Sequence, residues 1–378
     1  MQKWLDRFPG ADLNGDGELT IQEALAYRER MLEGNRSNGR QAGAPKQFEV
    51  DLRWQDDRFP SEAVCYRSPE EIAKLFGQFP SHPKPSDGSF RIVGTGHSFM
   101  APGYRTFPLI AEAAGFEEHV LHTHTGGGMT GSARYKWEQE NGIFQFEGRP
   151  TPKLLAAISN AEWDRMMWGP YFNDRPEYYS CWIEFCLKYN PDMKFYLSDG
   201  WPQLYQLESP PASEDDFTPE IFGRMGKEKN ETFGKLLDTL NAQYPSKVFI
   251  MPTSDAMVLA AKHYLDGQLP GVEGLHKAVG GNTRSLWRDR LGHLGPGFDR
   301  LEGYVFCATI YGRSPELIED EVKFPIDSKN PTAGDSDFPS LELDRVFRKI
   351  AWQAVVNNPR SGVRDENGDG IGDTESAN

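Results

Sequence analysis

Ser98 is the residue of this sequence best placed to act as a nucleophile. It lies in the stretch Arg91–Gly103, RIVGTGHSFMAPG, which is typical of a short strand that ends in glycine and leads into a helix. A serine hydroxyl is a weak nucleophile and needs a base within hydrogen-bond reach. Serine at the joint of a strand and a helix is also a preferred helix N-cap. The position alone therefore leaves two interpretations open, a nucleophile and a cap.

Asp289 and His293, in the late segment LWRDRLGHLGP, are candidates for the supporting acid and base. A histidine can take the serine proton, and a carboxylate can hold the imidazole in the required tautomer. If this segment is helical, residues four apart lie on one face. The alternative is that His293 is a solvent-exposed loop residue.

The elements that must position these residues alternate between strand and helix. Five apolar runs are typical of buried strands, at 89–96, 118–125, 163–169, 193–200 and 246–254, and helical patterns lie between them. This alternation predicts an α/β fold with three layers, α/β/α, and about five parallel strands. In such a sheet, ligands bind at the carboxyl ends of the strands.

Polar and glycine residues follow the predicted strands at that edge. They are Ser98, the run Gly126–Gly128, Asn173 and Trp201, with Asp289 and His293 coming later in the chain. Because the carboxyl ends of parallel strands share one edge, these residues should converge. The convergence favours the nucleophile over the helix cap.

This order of residues resembles that of the SGNH, or GDSL-type, hydrolases, over residues 88 to 315. GHS matches the first block, with Ser98 as nucleophile, and GGMT is similar to the Gly-Asp-Thr turn, with Gly128. GPYFND is similar to Gly-x-Asn-Asp, with Asn173, although it is two residues longer. DRLGHL is similar to Asp-x-x-His-Leu, with Asp289 and His293 four apart instead of three.

The resemblance implies a serine esterase that hydrolyses a small acyl ester, with an acetylated polysaccharide as one candidate substrate. The backbone N–H groups of Ser98 and Gly128 and the Asn173 side chain would then bind the oxyanion. His97 stands where the family has Asp or Asn, and we place it with Trp201 in the predicted substrate-binding set. The Trp201 ring either stacks on a sugar or packs in the core.

Two other functions stay open. The first is a catalytically inactive carbohydrate-binding or matrix protein on the same fold, in which the Ser98 hydroxyl would lie far from any histidine. The second is a metal-dependent hydrolase that uses His122 and His124, which alternate on one strand face, with His97 or Asp164 as a further ligand.

Each end of the chain carries a pattern typical of a calcium loop. DLNGDGELTIQE near the N-terminus matches an EF-hand loop at its ligand positions, with Gly17 at the turn. DENGDGIGDTES near the C-terminus resembles the loops of dockerins and thrombospondin type-3 repeats, with Ser376 in the twelfth place. The predicted Ca²⁺ ligands are Asp12, Asn14, Asp16, Glu18 through its carbonyl, Glu23, Asp365, Asn367, Asp369 and Asp373.

The chain organisation and charge limit the partners. We divide the chain into a calcium loop and linker (1–45), a lead-in segment (46–87), the hydrolase-like domain (88–359) and a calcium-loop tail (360–378). A net charge of −15 argues against sequence-independent binding to nucleic acid. The sequence contains no run of eighteen apolar residues, so it does not predict a membrane span. The N-terminal MQKWLDRFPG has no apolar signal-peptide core, so we expect either a secreted or periplasmic protein whose signal peptide is absent from this sequence, or a cytoplasmic one. The oligomeric state stays open.

Overall fold

The computed structural model describes residues 81–125, 135, 145–146, 149–150, 154–169, 175–209, 211–324 and 338–373. All of them lie in the compact unit Phe48–Asn378. The N-terminal calcium loop, Gly128 and Asn173 fall outside the described residues, so the predictions made for them stay predictions.

A parallel sheet of five strands forms the centre of this unit. The strands are β1 (Arg91–Gly96), β2 (Val120–Thr125), β3 (Arg165–Trp168), β4 (Lys194–Ser198) and β5 (Val248–Met251), in the spatial order β2-β1-β3-β4-β5. All four neighbouring pairs are parallel. Each strand lies inside one of the five predicted apolar runs, and the predicted three-layer α/β/α fold is confirmed.

Seven helices of seven or more residues accompany the sheet in the described ranges. They are α1 (Ala101–Ala113), α2 (Leu154–Asn160), α3 (Glu177–Tyr189), α4 (Pro219–Gln243), α5 (Thr253–Leu265), α6 (Phe298–Tyr311) and α7 (Leu341–Asn357). Smaller elements are the antiparallel strands Gln145–Phe146 and Arg149–Pro150, the parallel strands β6 (Gly274–His276) and β7 (Ser285–Trp287), and the helix Lys277–Gly280.

The two faces of the sheet bury separate cores. Successive strand residues point to opposite faces, so Ile92 packs with α1, α5, α6 and α7, whereas Val93 packs with α2, α3 and the C-terminal half of α4. Met167 and Met166 on β3 divide in the same way. This double burial explains why strands such as β1 and β3 are mostly apolar rather than alternating, whereas the edge strand β2 is half-buried and carries His and Thr residues.

The strand order creates a crevice at the carboxyl end of β1. The chain moves from β1 to β2 on one side and later places β3 on the other side. The helices that follow neighbouring strands therefore diverge here, which is where open α/β sheets bind ligands. Ser98 follows β1 directly at this point.

Residues 360–373, predicted as a tail, pack against the sheet edge and its helices. The carbonyl of Arg360 accepts a hydrogen bond of 2.9 Å from the Ile250 N–H of β5. The Arg360 guanidinium pairs with Asp238 of α4 at 2.8 Å, and Val363 is buried.

Among the residues that the structure describes, none of the helices combines the length and the apolar composition that a membrane span requires.

Candidate active site

Ser98 lies on an exposed turn between β1 and α1. The turn begins at Gly96, whose φ of 142° is rarely adopted by other residues. A Cβ on Gly96 would also meet Met100 Cγ at 2.7 Å and Gly169 N at 3.2 Å. Met100, not Ser98, occupies the N-cap position of α1 and makes no side-chain cap. The helix-cap interpretation of Ser98 is therefore wrong.

The structure brings Ser98, His293 and Asp289 into one hydrogen-bonded chain. Ser98 Oγ lies 2.8 Å from His293 Nε2, although the two residues are 195 positions apart. On the other side of the ring, His293 Nδ1 lies 2.9 Å from Asp289 Oδ2 and 3.1 Å from Oδ1. A nucleophile, a base and an orienting acid in mutual hydrogen-bond reach are the arrangement that acyl transfer through serine requires.

Asp289 and His293 meet across a tight turn after β7 rather than along a helix. The Gly292 N–H donates to the Asp289 carbonyl at 2.9 Å, and the Arg288 N–H donates to the His293 carbonyl at 2.8 Å. Asp289 Oδ1 also accepts the backbone N–H groups of Leu291 and His293, at 3.1 and 3.2 Å. The spacing of four thus works through a turn, because this segment is not helical.

The surroundings of Asp289 favour its ionised form. Partial burial by itself raises the pKa of Asp289. The hydrogen bonds and charge of His293, together with the charge of Arg288, outweigh burial and lower that pKa below its ordinary value. Asp289 is therefore a carboxylate at neutral pH, able to accept the Nδ1–H of His293.

Two aromatic rings pack in a stack next to His293: Phe99, which the sequence did not single out, and Trp201, which it did. Phe99 stacks on Trp201 with ring centroids 4.4 Å apart, and its ring lies edge-on to His293 at 5.1 Å. Trp201 is 0% exposed, so it has no free face for a sugar. The prediction that Trp201 lines the cleft is wrong, because the ring packs beneath Phe99. The only sequence signal for Phe99 was its place next to Ser98.

A side chain of the β4–α4 connection also holds the turn of Asp289 and His293 in place. Gln203 Nε2 donates a hydrogen bond of 2.8 Å to the carbonyl of Leu291. Leu291 itself is 65% exposed, beside the partly buried His293. No sequence pattern pointed to Gln203, because its contact depends on how the two loops meet.

His97 has a local structural contact. It is 7% exposed, and its Nδ1 accepts a hydrogen bond of 3.3 Å from the Phe99 N–H. The ring nitrogen thus fills the place of the Asp or Asn oxygen in a side-chain-capped turn. Whether His97 also contacts a substrate stays a prediction.

The described residues offer no ligand set for a metal-dependent hydrolase. Asp164 binds Arg91, with Oδ1 3.0 Å from Nη2, and lies next to the amino end of β3. His124 lies near the carboxyl end of β2, and the His122 ring packs 6.2 Å from that of Trp163. Within the described ranges, no group of three or more His, Cys, Asp or Glu side chains is placed to hold a metal ion.

The same finding applies to the C-terminal loop, whose polar side chains fold back on their own backbone. The Oδ1 atoms of Asp365 and Asn367 both accept from the Asp369 N–H, at 3.1 and 3.0 Å. Asp373 Oδ2 accepts from the Glu366 N–H at 2.7 Å. Among the described residues of this loop, no three Asp or Glu side chains are grouped to hold a metal ion, and Ca²⁺ binding by Asp365, Asn367, Asp369 and Asp373 stays a prediction.

The chain is similar to solved structures of bacterial proteins at low identity. A DUF4886 family protein from Bacteroides uniformis is 11% identical, with a TM-score of 0.44 over 71% of this chain and 95% of that protein. A Streptococcus pneumonia protein named provisionally as a platelet activating factor is 12% identical, with a TM-score of 0.32 over 64% and 91%. No family model and no curated protein matches the sequence. We therefore derive the function from the geometry of the site.

Proposed function

We propose that this protein is a serine esterase that hydrolyses small acyl esters. The observation that carries the proposal is the contact of 2.8 Å between Ser98 Oγ and His293 Nε2, continued by the contact of 2.9 Å between His293 Nδ1 and Asp289 Oδ2. Ser98 is also an exposed residue, so an ester can approach it. The resemblance of the sequence to the SGNH hydrolases points to the same chemistry.

The proposed reaction has two steps. In the first, Ser98 Oγ attacks the ester carbonyl while His293 Nε2 takes the hydroxyl proton, and the alcohol leaves with that proton. In the second, water attacks the acyl-serine and gives a proton to His293, which passes it to Ser98 Oγ as the acyl–oxygen bond breaks, so that the carboxylic acid leaves and both Ser98 and His293 are restored. Asp289 stabilises the imidazolium in both steps. The Ser98 N–H, with Gly128 and Asn173 as predicted, would bind the oxyanion.

The acyl group is expected to be small, and an acetylated polysaccharide remains one candidate substrate. That candidate rests on the resemblance and on the predicted secreted, calcium-bearing design, because the buried Trp201 does not support stacking on a sugar. The catalytically inactive alternative predicts a Ser98 hydroxyl far from any histidine, and the contact of 2.8 Å is the opposite arrangement.

Hydrolysis of an aryl acetate by the wild type and by Ser98→Ala tests the proposal. We expect activity and covalent labelling by a serine-reactive phosphonate in the wild type, and the loss of both in Ser98→Ala. The matched control is Ser340→Ala. Ser340 is a true N-cap, whose side chain accepts from the Leu343 N–H of α7 at 3.2 Å.

The control variant should lose about 1 kcal/mol of stability and keep its activity. Equal activity of the wild type and Ser98→Ala would show that Ser98 is not the nucleophile.

We further propose that the N-terminal loop, residues 12–23, holds a structural Ca²⁺. Its ligand pattern supports this proposal, and the loop lies outside the described residues.

A further inference from the structure

The N-terminus of α1, directly after Ser98, is held by a carboxyl group of α6. The first N–H groups of a helix have no partner within the helix, and Met100 gives α1 no side-chain cap. Instead, Glu302 Oε2 accepts a hydrogen bond of 2.6 Å from the Gly103 N–H. An acceptor from another helix thus takes the place of a cap, and it ties the start of α1 to α6.

The two helices touch closely at this point. A Cβ on Gly103 would meet Phe306 Cε2 and would lie 2.8 Å from Glu302 Cγ. Glu302 itself is 2% exposed. The hydrogen bond therefore lies in a packed interior, where losing one partner leaves the other unsatisfied.

The same carboxyl group also lies beside the aromatic stack under the base. Burial, the largest effect, raises the pKa of Glu302 well above its ordinary value, while the Gly103 N–H acts to lower it. Trp201 Nε1 is close enough to influence the carboxyl group, but neither Trp201 Nε1 nor Glu302 Oε1 has a hydrogen-bond partner among the described residues. Trp201 stacks on Phe99, and Phe99 contacts the His293 ring. Glu302 is thus placed between the helix that follows the nucleophile and the rings that support the base.

We propose that Glu302 is a positioning residue that holds the Ser98 turn at the distance from His293 that proton transfer requires. This inference rests on the proposed function of Ser98. Because Glu302 is buried, it does not touch the substrate, and we expect it to act through the residues that it holds in place. A displacement of about 1 Å in a catalytic group can lower the rate by about 100-fold. The expected signature is a fall in kcat with KM unchanged.

The test compares Glu302→Gln, Glu302→Asp and Glu302→Leu in the full chain, with an aryl acetate as substrate. Rates are divided by the number of active sites labelled by a serine-reactive phosphonate, so that misfolded protein does not count. Glu302→Gln keeps an acceptor for the Gly103 N–H and should retain kcat within about threefold. Glu302→Leu has no acceptor and should lose about tenfold or more in kcat. Glu302→Asp, whose shorter side chain draws the acceptor back, should lie between them.

Tyr304→Phe is the matched control on the same helix. The Tyr304 hydroxyl donates to Asp344 Oδ1 of α7 at 2.9 Å and is buried. Its removal should lower the melting temperature and leave kcat unchanged.

Two results would overturn the positioning role. One is a Leu variant whose kcat per labelled site falls no further than that of Tyr304→Phe. The other is a Gln variant as impaired as the Leu variant. If Glu302→Leu does not fold, the order of the wild type, Gln and Asp variants decides in the same way.

Failure of the proposed function gives a different result. Wild-type activity that does not depend on Ser98 would overturn both proposals. If activity depends on Ser98 but all three Glu302 variants keep the kcat of the wild type, only the positioning role would be overturned.

Discussion

At the scale of single residues, Asp289 combines two roles that one substitution can separate. Its carboxylate faces His293 Nδ1, and its Oδ1 also accepts the backbone N–H groups of Leu291 and His293. Asp289→Asn keeps an oxygen for the turn, but it no longer stabilises the imidazolium or selects the tautomer. We expect kcat for an aryl acetate to fall by about 10⁴-fold, with little change in melting temperature.

Asp238→Asn is the control for Asp289→Asn. This substitution weakens the partly exposed ion pair between Asp238 of α4 and Arg360, and the variant should keep full activity. A kcat for Asp289→Asn within about twofold of the wild type would mean that another carboxylate orients His293.

Asp199, just after β4, is a second carboxyl group with an unusual environment. It is 0% exposed, and its Oδ1 accepts from Thr253 Oγ1 at 3.0 Å and from the Ser254 N–H at 2.8 Å. Burial, followed by the charge of Asp255, raises its pKa to about 8, against the hydrogen bonds and the charge of Lys229. The folded protein therefore holds a proton here that the unfolded chain releases near pH 4.

This raised pKa predicts a loss of stability as pH rises. Between about pH 4 and about pH 8 the folded state binds one more proton at Asp199 than the unfolded chain does. The contribution of this proton to stability is therefore fully present below about pH 4 and decreases until about pH 8. Lys229, whose pKa burial lowers to about 8, acts in the opposite sense only above that pH. Asp199→Asn cannot titrate, so the melting temperature of the wild type minus that of the variant should decrease from pH 5 to pH 8. A constant difference would contradict the prediction.

At the scale of elements, the contact between α1 and α6 depends on glycine. A Cβ on Gly303 would meet Thr106 Oγ1 and would lie 2.9 Å from Ile110 Cδ1, both on α1. Gly303→Ala should therefore force the helices apart and lower the free energy of unfolding by about 1–3 kcal/mol, as measured in urea. Gly223→Ala in α4 is the control, because its Cβ would meet nothing within 4 Å.

The control should gain up to about 1 kcal/mol from helix propensity. Equal effects of the two alanine variants would mean that the close contact between α1 and α6 does not limit stability. Because α1 follows the Ser98 turn, we also expect Gly303→Ala to lower kcat and Gly223→Ala to leave it unchanged.

At the scale of the whole molecule, the net charge of −15 includes the acidic side chains of both loops. Carboxylates crowded into the twelve residues 12–23 repel one another, and a bound cation would remove that repulsion. An ion that binds only the folded state stabilises it by mass action. A chelator should therefore lower the melting temperature and leave ester hydrolysis at moderate temperature unchanged.

Asp16→Asn should reproduce the effect of the chelator, and Asp369→Asn should have a smaller one, since the C-terminal loop has Ser376 in the twelfth place where the N-terminal loop has Glu23. Turnover that stops at once on chelation, without unfolding, would instead assign the ion a catalytic role.

The sequence by itself determined the sheet and the order of its elements. Strands such as β1 and β4 are apolar runs buried on both faces, and this signal is local. The same local pattern shows that Ser98 comes just after the first strand. Because the carboxyl ends of parallel strands share one edge, it also predicts that Ser98 lies at the edge where ligands bind. The residue types of Asp289 and His293, and their closeness in sequence, also predicted that their side chains contact each other.

Only the tertiary structure decided how these residues meet. Whether Asp289 and His293 lie on a helix or a turn, and whether Trp201 faces a cleft or a core, depends on which loops pack against each other. The contact between Ser98 and His293 joins residues 195 positions apart, and the Glu302 contact with α1 joins residues 199 apart. Local periodicity shows which face of an element is buried, but it does not specify which distant side chain fills the space next to it, because that choice depends on the packing of the whole core.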